Sequence, residues 1–219
     1  MPVNDANDCP LCASADGEEW CVDKRRRYLQ CAVCRLIWVP QRFHLSLEVE
    51  KAEYDLHENA PDDIGYRDFL GRLFEPMNQR IAPNSRGLDF GSGPGPTLSV
   101  MFEEAGHAVS LYDPFYADDA SVLRRQYDFV TASEVVEHFR APAADLARLW
   151  QCVRDGGVLG IMTKRPPSQS TFASWHYKND LTHVSFYSNE TFIWLANFWK
   201  ADLEIPGSDV ILLKRPSVK

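Results

Sequence analysis

The 219-residue chain has neither a long apolar run nor an excess of positive charge. No apolar stretch approaches the ~20 residues of a membrane-spanning helix, so we expect no membrane partner. The N-terminus has no basic flank followed by an apolar segment, so we expect no secretory signal and a cytoplasmic protein. Lysines and arginines number 23 against 31 aspartates and glutamates, which gives a net charge of -8. This balance disfavours nucleic acid as a partner, because phosphate binding usually requires a basic face.

The composition is that of an ordinary globular protein, with 45% hydrophobic and 25% charged residues. A chain of this length can bury one sizeable core, with room for a small appendage. One dense basic run is present, Lys24-Arg25-Arg26-Arg27, directly before Tyr28. Such a run is typical either of a solvated hairpin turn or of a patch that contacts phosphates.

Four of the six cysteines form two Cys-x-x-Cys pairs, Cys9 with Cys12 and Cys31 with Cys34, separated by eighteen residues. This spacing is typical of tetrathiolate zinc sites, since each pair can point two thiolates at a centre about 2.3 Å away. Two disulfides are the alternative, which a reducing cytosol disfavours. Four sulfurs leave no open coordination position, so we predict structural zinc in a small ribbon over residues 1–42.

The rest of the chain alternates helical and strand patterns. Apolar residues at helical spacing predict a helical linker or lid over residues 43–82. From residue 83 to 219, short apolar strands alternate with helices, which is typical of βαβ units and a mostly parallel sheet. Sheets of this α/β class bind ligands at the carboxyl ends of their strands.

A glycine-rich loop with Gly91, Gly93 and Gly95 follows the first strand of this region. Glycines let the backbone turn sharply and approach a ligand closely. The next strand ends at Asp113, whose carboxylate can accept hydrogen bonds from ribose hydroxyls. The loop lacks the G-x-G-x-x-G spacing, and Asp89 just before it would repel a phosphate but attract a cationic group. These residues favour S-adenosylmethionine over NAD as the cofactor.

The motifs resemble those of class I S-adenosylmethionine-dependent methyltransferases over roughly residues 60–219. The stretches that carry the resemblance are L-D-F-G-S-G-P-G, L-Y-D-P-F-Y, Y-D-F-V-T-A-S-E-V-V-E-H-F and G-G-V-L-G-I-M-T. The resemblance implies a Rossmann-like, doubly wound, mostly parallel sheet with an antiparallel last strand, and it puts Pro114 and Phe115 beside the adenine. Only fourteen residues separate Asp113 from Asp128. We therefore expect the family's third strand to be missing or vestigial.

Glu134, Glu137 and His138 follow the strand that corresponds to the fourth of this family. On a helical turn their spacing would point all three to one side. The E-x-x-E-H pattern is similar to the metal site of small-RNA 3′-end 2′-O-methyltransferases and to a motif of ubiquinone-pathway O-methyltransferases. It implies a Mg²⁺ or Mn²⁺ site completed by His183. The alternative needs no metal: Glu134 helps to hold the cofactor, and His138 is the general base or orients the substrate.

The connector between the fifth strand and the last helix is rich in polar and aromatic residues. We predict that Trp175, Tyr177 and Asp180 bind substrate there, the alternative being a surface loop that packs its own aromatics. A second polar cluster is predicted to cover the methyl donor; it consists of Tyr54, Asp55, His57 and Asn59.

Three functions are consistent with these residues. The first is methyl transfer from S-adenosylmethionine to an oxygen or nitrogen of a small molecule, with His138, Glu137 and His183 as catalytic residues. The second is RNA methylation, with the ribbon and Lys24–Arg27 docking the RNA. The third is a scaffold protein that binds the cofactor without catalysis. No oligomeric state follows from the sequence.

Overall fold

The computed structural model describes residues 8–56 and 60–217, and the strands of these residues form two sheets. The smaller sheet has four strands: β1 (Gly17–Val22), β2 (Arg27–Cys31), β3 (Ile37–Trp38) and β8 (Ser185–Phe186). The larger sheet has six: β4 (Arg86–Phe90), β5 (Ala108–Tyr112), β6 (Tyr127–Ser133), β7 (Val153–Met162), β9 (Asp202–Glu204) and β10 (Val210–Lys214).

The larger sheet has the strand order β5-β4-β6-β7-β10-β9. The first four of these strands are parallel neighbours, whereas β10 runs antiparallel to both β7 and β9. Residues 113–126, all of which are described, add no strand beyond β5 and contain a 3-10 turn at Val122–Arg124. The predicted α/β fold is therefore confirmed, including its missing third strand and its antiparallel last strand.

Helices cover both faces of the larger sheet. The helices of the described residues are α1 (Leu47–Tyr54), α2 (Ile64–Asn78), α3 (Thr97–Glu104), α4 (Pro142–Cys152), α5 (Gln169–Phe172) and α6 (Asn189–Trp199). Alternate residues of the strands feed two cores, one shared with α2 and α3 and the other with α4 and α6. This alternation is the period of two expected for strands. Within the described residues, no helix is long and apolar enough to cross a membrane.

The cysteine-rich ribbon is joined to the rest of the protein by a shared sheet and a shared core. Strand β3 pairs with β8, which is almost 150 residues away in sequence: Ile37 lies opposite Phe186, and Trp38 opposite Ser185. Aromatic side chains from both segments pack in one cluster around Tyr28. The boundaries at residues 42 and 82 stay predictions, but the ribbon is built into the fold rather than appended to it.

Candidate active site

The glycine loop and the end of β5 form one cradle. Gly91 and Gly93 have φ angles of +74° and +64°, which L side chains rarely adopt. A Cβ at Gly91 would lie 2.4 Å from Cγ2 of Val135, whereas one at Gly93 would meet no atom within 4 Å. The Asp113 carboxylate accepts hydrogen bonds from the backbone N–H of Gly93 at 2.9 Å and of Phe115 at 2.8 Å. Asp113 thus ties the two predicted cofactor motifs together.

Asp89 lies buried beside this cradle. Its side chain accepts a hydrogen bond of 2.8 Å from the Thr131 hydroxyl. Burial raises the pKa of Asp89 to about 7, and the negative charge of Asp113 acts in the same direction. A buried carboxyl of this kind is stabilised as the anion by a cationic ligand group, which fits the amino group of S-adenosylmethionine.

The E-x-x-E-H segment does not form the predicted helical turn. Glu134 has a φ of +53°, and only Val136–His138 form a short 3-10 turn. The backbone N–H of Glu134 donates to the carbonyl of Met162 at 2.8 Å, which fixes the residue at the end of β6. A positive φ at a non-glycine residue is uncommon and concentrates at functional sites. The expectation that three side chains share one helix face is therefore wrong.

Tyr177 links the two glutamates instead. Its hydroxyl lies 3.2 Å from Oε2 of Glu134, donates to Oε1 of Glu137 and lies 3.3 Å from Oγ1 of Thr163. The remaining carboxylate oxygens, Oε1 of Glu134 and Oε2 of Glu137, are buried without a hydrogen-bond partner. Such oxygens are costly unless a ligand supplies a donor or a cation.

Burial shifts the acidity of both glutamates. It raises the pKa of Glu137 to about 8, with the negative charge of Glu134 adding to the effect. It raises the pKa of Glu134 to about 7. The two carboxyl groups share the Tyr177 hydroxyl as a neighbour, so they titrate as a coupled pair.

The two histidines are both neutral and both oriented by carbonyls. Nδ1 of His138 lies 3.3 Å from the carbonyl oxygen of Thr182, and Nδ1 of His183 lies 2.8 Å from that of Tyr177. Since carbonyls only accept, both rings carry their proton on Nδ1 and leave Nε2 as the acceptor. Burial lowers the pKa of His138 to about 3 and that of His183 to about 4.

Three of the four residues predicted as ligands of a divalent cation come together. Glu137, His138 and His183 each offer one ligand atom, and these atoms lie within 4.8 Å of one another. Glu134 lies outside this group, because its backbone conformation directs it to Tyr177 alongside Glu137 rather than to the histidines.

The predicted substrate residues have different environments. Trp175 packs against Phe172 and Phe186, with ring centroids 5.7 and 5.6 Å apart, so it belongs to the core beside the ribbon. Asp180 accepts hydrogen bonds from the backbone and side chain of Thr182, and its Oδ2 lies 3.6 Å from Nε2 of His183. Of the three, Tyr177 reaches the carboxylates directly.

Tyr54 and Asp55 of the predicted polar cluster lie at the end of α1, next to the site, and their role as a cover for the methyl donor stays a prediction. The ring of Tyr54 lies 5.2 Å from that of His138 and 5.8 Å from that of Phe115. The hydroxyl of Tyr116 donates to Asp55 at 2.7 Å. His57 and Asn59 of the same cluster lie outside the described residues.

Sequence reasoning missed the residues that hold α1 in place. The hydroxyl of Tyr54 donates to Oε1 of Glu50 at 2.7 Å, and Arg140 forms an ion pair with the other oxygen of Glu50. Glu50 precedes Tyr54 by one helical turn, so this hydrogen-bonded pair could have been predicted from the spacing. Arg140 carried no such signal, because its partner is far away in the sequence.

The basic run Lys24–Arg27 is not an open patch. Arg26 is only 2% exposed. Arg25 donates to the side chain of Asn179 at 3.2 Å, and Nε of Arg27 lies 3.0 Å from a carboxylate oxygen of Glu19. Lys24 and Arg25 lie exposed in the turn between β1 and β2, as the hairpin-turn interpretation predicts, whereas the buried Arg26 fits neither a solvated turn nor a phosphate-binding patch.

The four ribbon cysteines converge as their spacing predicts. The sulfurs of Cys9 and Cys34 lie 3.4 Å apart, as do those of Cys12 and Cys31, and all four lie within 4.8 Å of one another. A tetrahedral zinc ion with bonds of about 2.3 Å separates its sulfurs by about 3.8 Å. All four thiols are free, so the donor set fits zinc and not disulfides.

The ligand-free protein is expected to lose stability as the pH rises from about 6.5 to about 8. The pKa values of Glu134 and Glu137 are raised from 4.5 to about 7 and about 8, so here the folded state keeps protons that the unfolded chain has released. His138 and His183, with lowered pKa values, add stability with rising pH only up to the ordinary histidine value of 6.5. Urea unfolding at several pH values measures this slope, and Glu137→Gln should reduce it. An unchanged free energy of unfolding across the window would contradict the assignment.

Comparison with known proteins gives one matching family and several similar folds. Residues 62–205, about two thirds of the chain, match a family described as a methyltransferase domain. Over 104 residues the chain is 33% identical to the ubiquinone biosynthesis O-methyltransferase of Pseudomonas aeruginosa (strain UCBPP-PA14). That alignment covers 47% of this chain and 44% of the relative, so the match spans less than half of the relative's length.

Two solved structures align with this chain. A SAM-dependent methyltransferase from Archaeoglobus fulgidus aligns with a TM-score of 0.53 and 15% identity, over 78% of this chain and 100% of that one. An O-methyltransferase family protein from Burkholderia thailandensis aligns with a TM-score of 0.49 and 15% identity, over 78% of this chain and 64% of that one.

Proposed function

This chain belongs to the methyltransferase-domain family, and from that premise we propose that it transfers a methyl group from S-adenosylmethionine to a hydroxyl oxygen of a small molecule. We choose oxygen as the methyl acceptor because of the proton-accepting groups around Tyr177. Two buried carboxylate oxygens without partners face the site together with two neutral histidines. A hydroxyl must lose its proton to become a good nucleophile, whereas a neutral amine attacks without a base. The O-methyltransferase name of the Pseudomonas relative agrees with this choice.

The residues present fit the cofactor. Bound S-adenosylmethionine supplies an electrophilic methyl group on its sulfonium sulfur. Gly91 and Gly93 leave room for it through their backbone conformation, and Asp89 and Glu134 are suited to its cationic amino group. The Asp113 carboxylate has about four acceptor sites and uses three on backbone N–H groups, so it can still accept from a ribose hydroxyl.

Within this proposal, Glu137 accepts the proton of the substrate hydroxyl and the histidines orient that hydroxyl. A general base works best when its pKa lies near the operating pH. Glu137, with a pKa raised to about 8, meets this condition better than His138, with a pKa lowered to about 3. The sequence-based default was His138 as the base, and the buried environment favours exchanging these roles.

A divalent cation is a second way to activate the same hydroxyl. Glu137, His138 and His183 offer one carboxylate and two imidazole ligands within 4.8 Å of one another. A cation held there would lower the pKa of a bound hydroxyl. Replacing Glu137 and His183 with alanine should then abolish binding of Mg²⁺ or Mn²⁺ while leaving cofactor affinity nearly intact.

Asp113→Asn is expected to weaken binding of S-adenosylhomocysteine about 10-fold to 100-fold. The amide would direct N–H groups at the backbone N–H groups that now donate to the carboxylate, which costs about 1.5–3 kcal/mol in this buried position. Isothermal titration calorimetry measures the effect. The matched control is Asp118→Asn, since Asp118 is exposed on the same loop. Wild-type protein that binds no S-adenosylhomocysteine would refute the proposed function itself.

A labelled-methyl transfer screen against fractions of a cell extract tests the acceptor, with and without a chelator. We expect label in a small molecule, as a methyl ether identified by mass spectrometry. Label in N-methyl groups would refute the choice of oxygen, and label removed by ribonuclease would favour the RNA reading. Binding of S-adenosylhomocysteine without any transfer would favour the scaffold reading.

A further inference from the structure

Six consecutive carbonyl groups, from Tyr177 to Thr182, each have a hydrogen-bond donor nearby. The two outer ones hold the active-site histidines, since Tyr177 O lies 2.8 Å from Nδ1 of His183 and Thr182 O lies 3.3 Å from Nδ1 of His138. The four inner carbonyls accept from two arginines of the ribbon turn. The segment between the histidine contacts is therefore held from outside, by a part of the chain about 150 residues earlier.

Arg26 makes most of these inner contacts. Its Nη2 lies 2.5 Å from the carbonyl oxygen of Lys178 and 2.8 Å from that of Asp180, and its Nη1 lies 3.1 Å from that of Leu181. Its Nε donates to the hydroxyl of Tyr28 at 2.9 Å. The planar guanidinium spreads its donors over three nitrogens in a fixed fork and so can span separated carbonyls, whereas the donors of an ammonium group all lie on one nitrogen.

The same turn is fixed to the segment by further contacts. Nη1 of Arg25 donates to the carbonyl of Asn179 at 3.1 Å. Nζ of Lys178, a buried lysine, lies 2.7 Å from Oδ2 of Asp23. The other oxygen of Asp23 accepts from the backbone N–H of Arg25 at 2.8 Å and of Arg26 at 3.0 Å. Turn and segment thus hold each other in one geometry.

We propose that Arg26, supported by Asp23 and Arg25, is a positioning residue that sets the tautomer and orientation of His138 and His183. The ribbon is then part of the active site's supporting structure rather than a docking module for nucleic acid. The proposal deepens the proposed function, because it rests on these histidines belonging to the substrate site. Arg26 acts through the carbonyls on either side of its own contacts and touches neither histidine ring through a hydrogen bond.

Removing Arg26 would take hydrogen-bond donors away from the segment that holds the two histidines. Without Arg26, the carbonyls of Asp180 and Leu181 lose their donor and that of Lys178 keeps the Tyr28 hydroxyl at 3.4 Å, so the segment relaxes toward water or other partners. The carbonyls of Tyr177 and Thr182 then no longer hold fixed positions opposite Nδ1 of the two rings. Each neutral imidazole becomes free to carry its proton on either nitrogen, so the acceptor Nε2 is no longer guaranteed.

The test is nitrogen-15 NMR of the histidine rings in the 219-residue, zinc-loaded protein with S-adenosylhomocysteine present. In the wild type we expect His138 and His183 as neutral Nδ1–H tautomers at pH 7. In Arg26→Ala and Arg26→Lys we expect mixed tautomers for both. The matched control is Arg27→Ala, which removes the neighbouring arginine at the start of β2 and its ion pair with Glu19, and should leave both tautomers unchanged.

Turnover adds a second readout once an acceptor is known. A displacement of about 1 Å in a catalytic group can cost about 100-fold in rate, so kcat should fall by that order in Arg26→Ala, with little change in the affinity for S-adenosylhomocysteine. Unchanged tautomers in a folded Arg26→Ala protein would overturn the proposal.

If Arg26→Ala does not fold or does not retain zinc, Arg25→Ala decides. It removes only the donor to Asn179, and the proposal requires a smaller tautomer shift of the same kind. No shift in that variant would equally overturn the inference. The NMR readout needs no substrate, so an absence of methyl transfer by the wild type would refute the proposed function without touching this result.

Discussion

Replacing Cys34 with serine is expected to abolish zinc binding and to unfold the ribbon sheet. Cys34 is fully buried in the four-sulfur cluster, and no fifth thiol of the described residues lies there to replace it. Structural zinc contributes a binding free energy of about 10–16 kcal/mol in small zinc domains, and that energy is folding energy. The ribbon strands are short and have little core of their own, so the loss should leave them without sufficient stabilisation.

The effect of Cys34→Ser should extend to the active site. Strand β3 would no longer pair with β8, and β8 begins two residues after His183. We therefore expect a lower thermal midpoint, loss of one equivalent of zinc by metal analysis, and methyl transfer that falls more than the affinity for S-adenosylhomocysteine. A strong chelator acting on the wild type should reproduce all three.

The matched control for Cys34→Ser is Cys21→Ser. Cys21 lies in the same ribbon, on β1, but outside the cluster. It should keep its zinc and a near-normal thermal midpoint. A Cys34→Ser protein that retains stoichiometric zinc and wild-type stability would disprove the structural zinc site.

Glu137→Gln is expected to lower the rate of methyl transfer by about 100-fold to 10,000-fold, the range for loss of a general base. The side chain is completely buried and its Oε2 has no partner among the described residues, so the amide removes the proton acceptor with little change in volume. Steady-state kinetics with the acceptor identified by the screen measures the change. Affinity for S-adenosylhomocysteine should stay within a few-fold of the wild type.

Two further variants sharpen the assignment of Glu137. His138→Gln should cost less than Glu137→Gln if the carboxylate is the base, and more if the imidazole is. Tyr177→Phe removes a hydrogen bond that stabilises the Glu137 carboxylate, so the pKa of Glu137 should rise further. The rising limb of the pH–rate profile should then move to higher pH. A profile that does not move in Tyr177→Phe would remove Glu137 from the role of base.

The sequence was most informative where function depends on local backbone and spacing. The glycines at 91 and 93, the acid at the end of the second strand of the sheet and the two cysteine pairs were all identified from short motifs. The structure gives them the positive φ angles, the hydrogen bonds and the sulfur distances that these motifs require. The length of the segment after Asp113, only fourteen residues, also predicted the missing strand, because so short a segment cannot hold another strand and helix.

The residues of the E-x-x-E-H motif come close together in the structure, but not in the geometry that their spacing predicted. The spacing of the motif places its three side chains on one helix face only if the segment is helical from Glu134 onward. Glu134, directly after the end of β6, donates its N–H to the carbonyl of Met162 and has a left-handed backbone conformation, so the segment is not helical there. As a result Glu134 and Glu137 meet at Tyr177, and His138 turns to His183, whose ring lies 4.8 Å away.

By itself the sequence determined the α/β fold, the cofactor cradle and the four-cysteine cluster, because each depends on residues close together in the chain or on a simple periodicity. Only the tertiary structure decided that the ribbon shares a sheet with β8, that Arg26 is buried, and that its guanidinium holds the carbonyls between the two histidine contacts. The physical reason is that backbone carbonyls are identical in every residue. An arginine that binds them from about 150 positions away therefore leaves no pattern in the sequence.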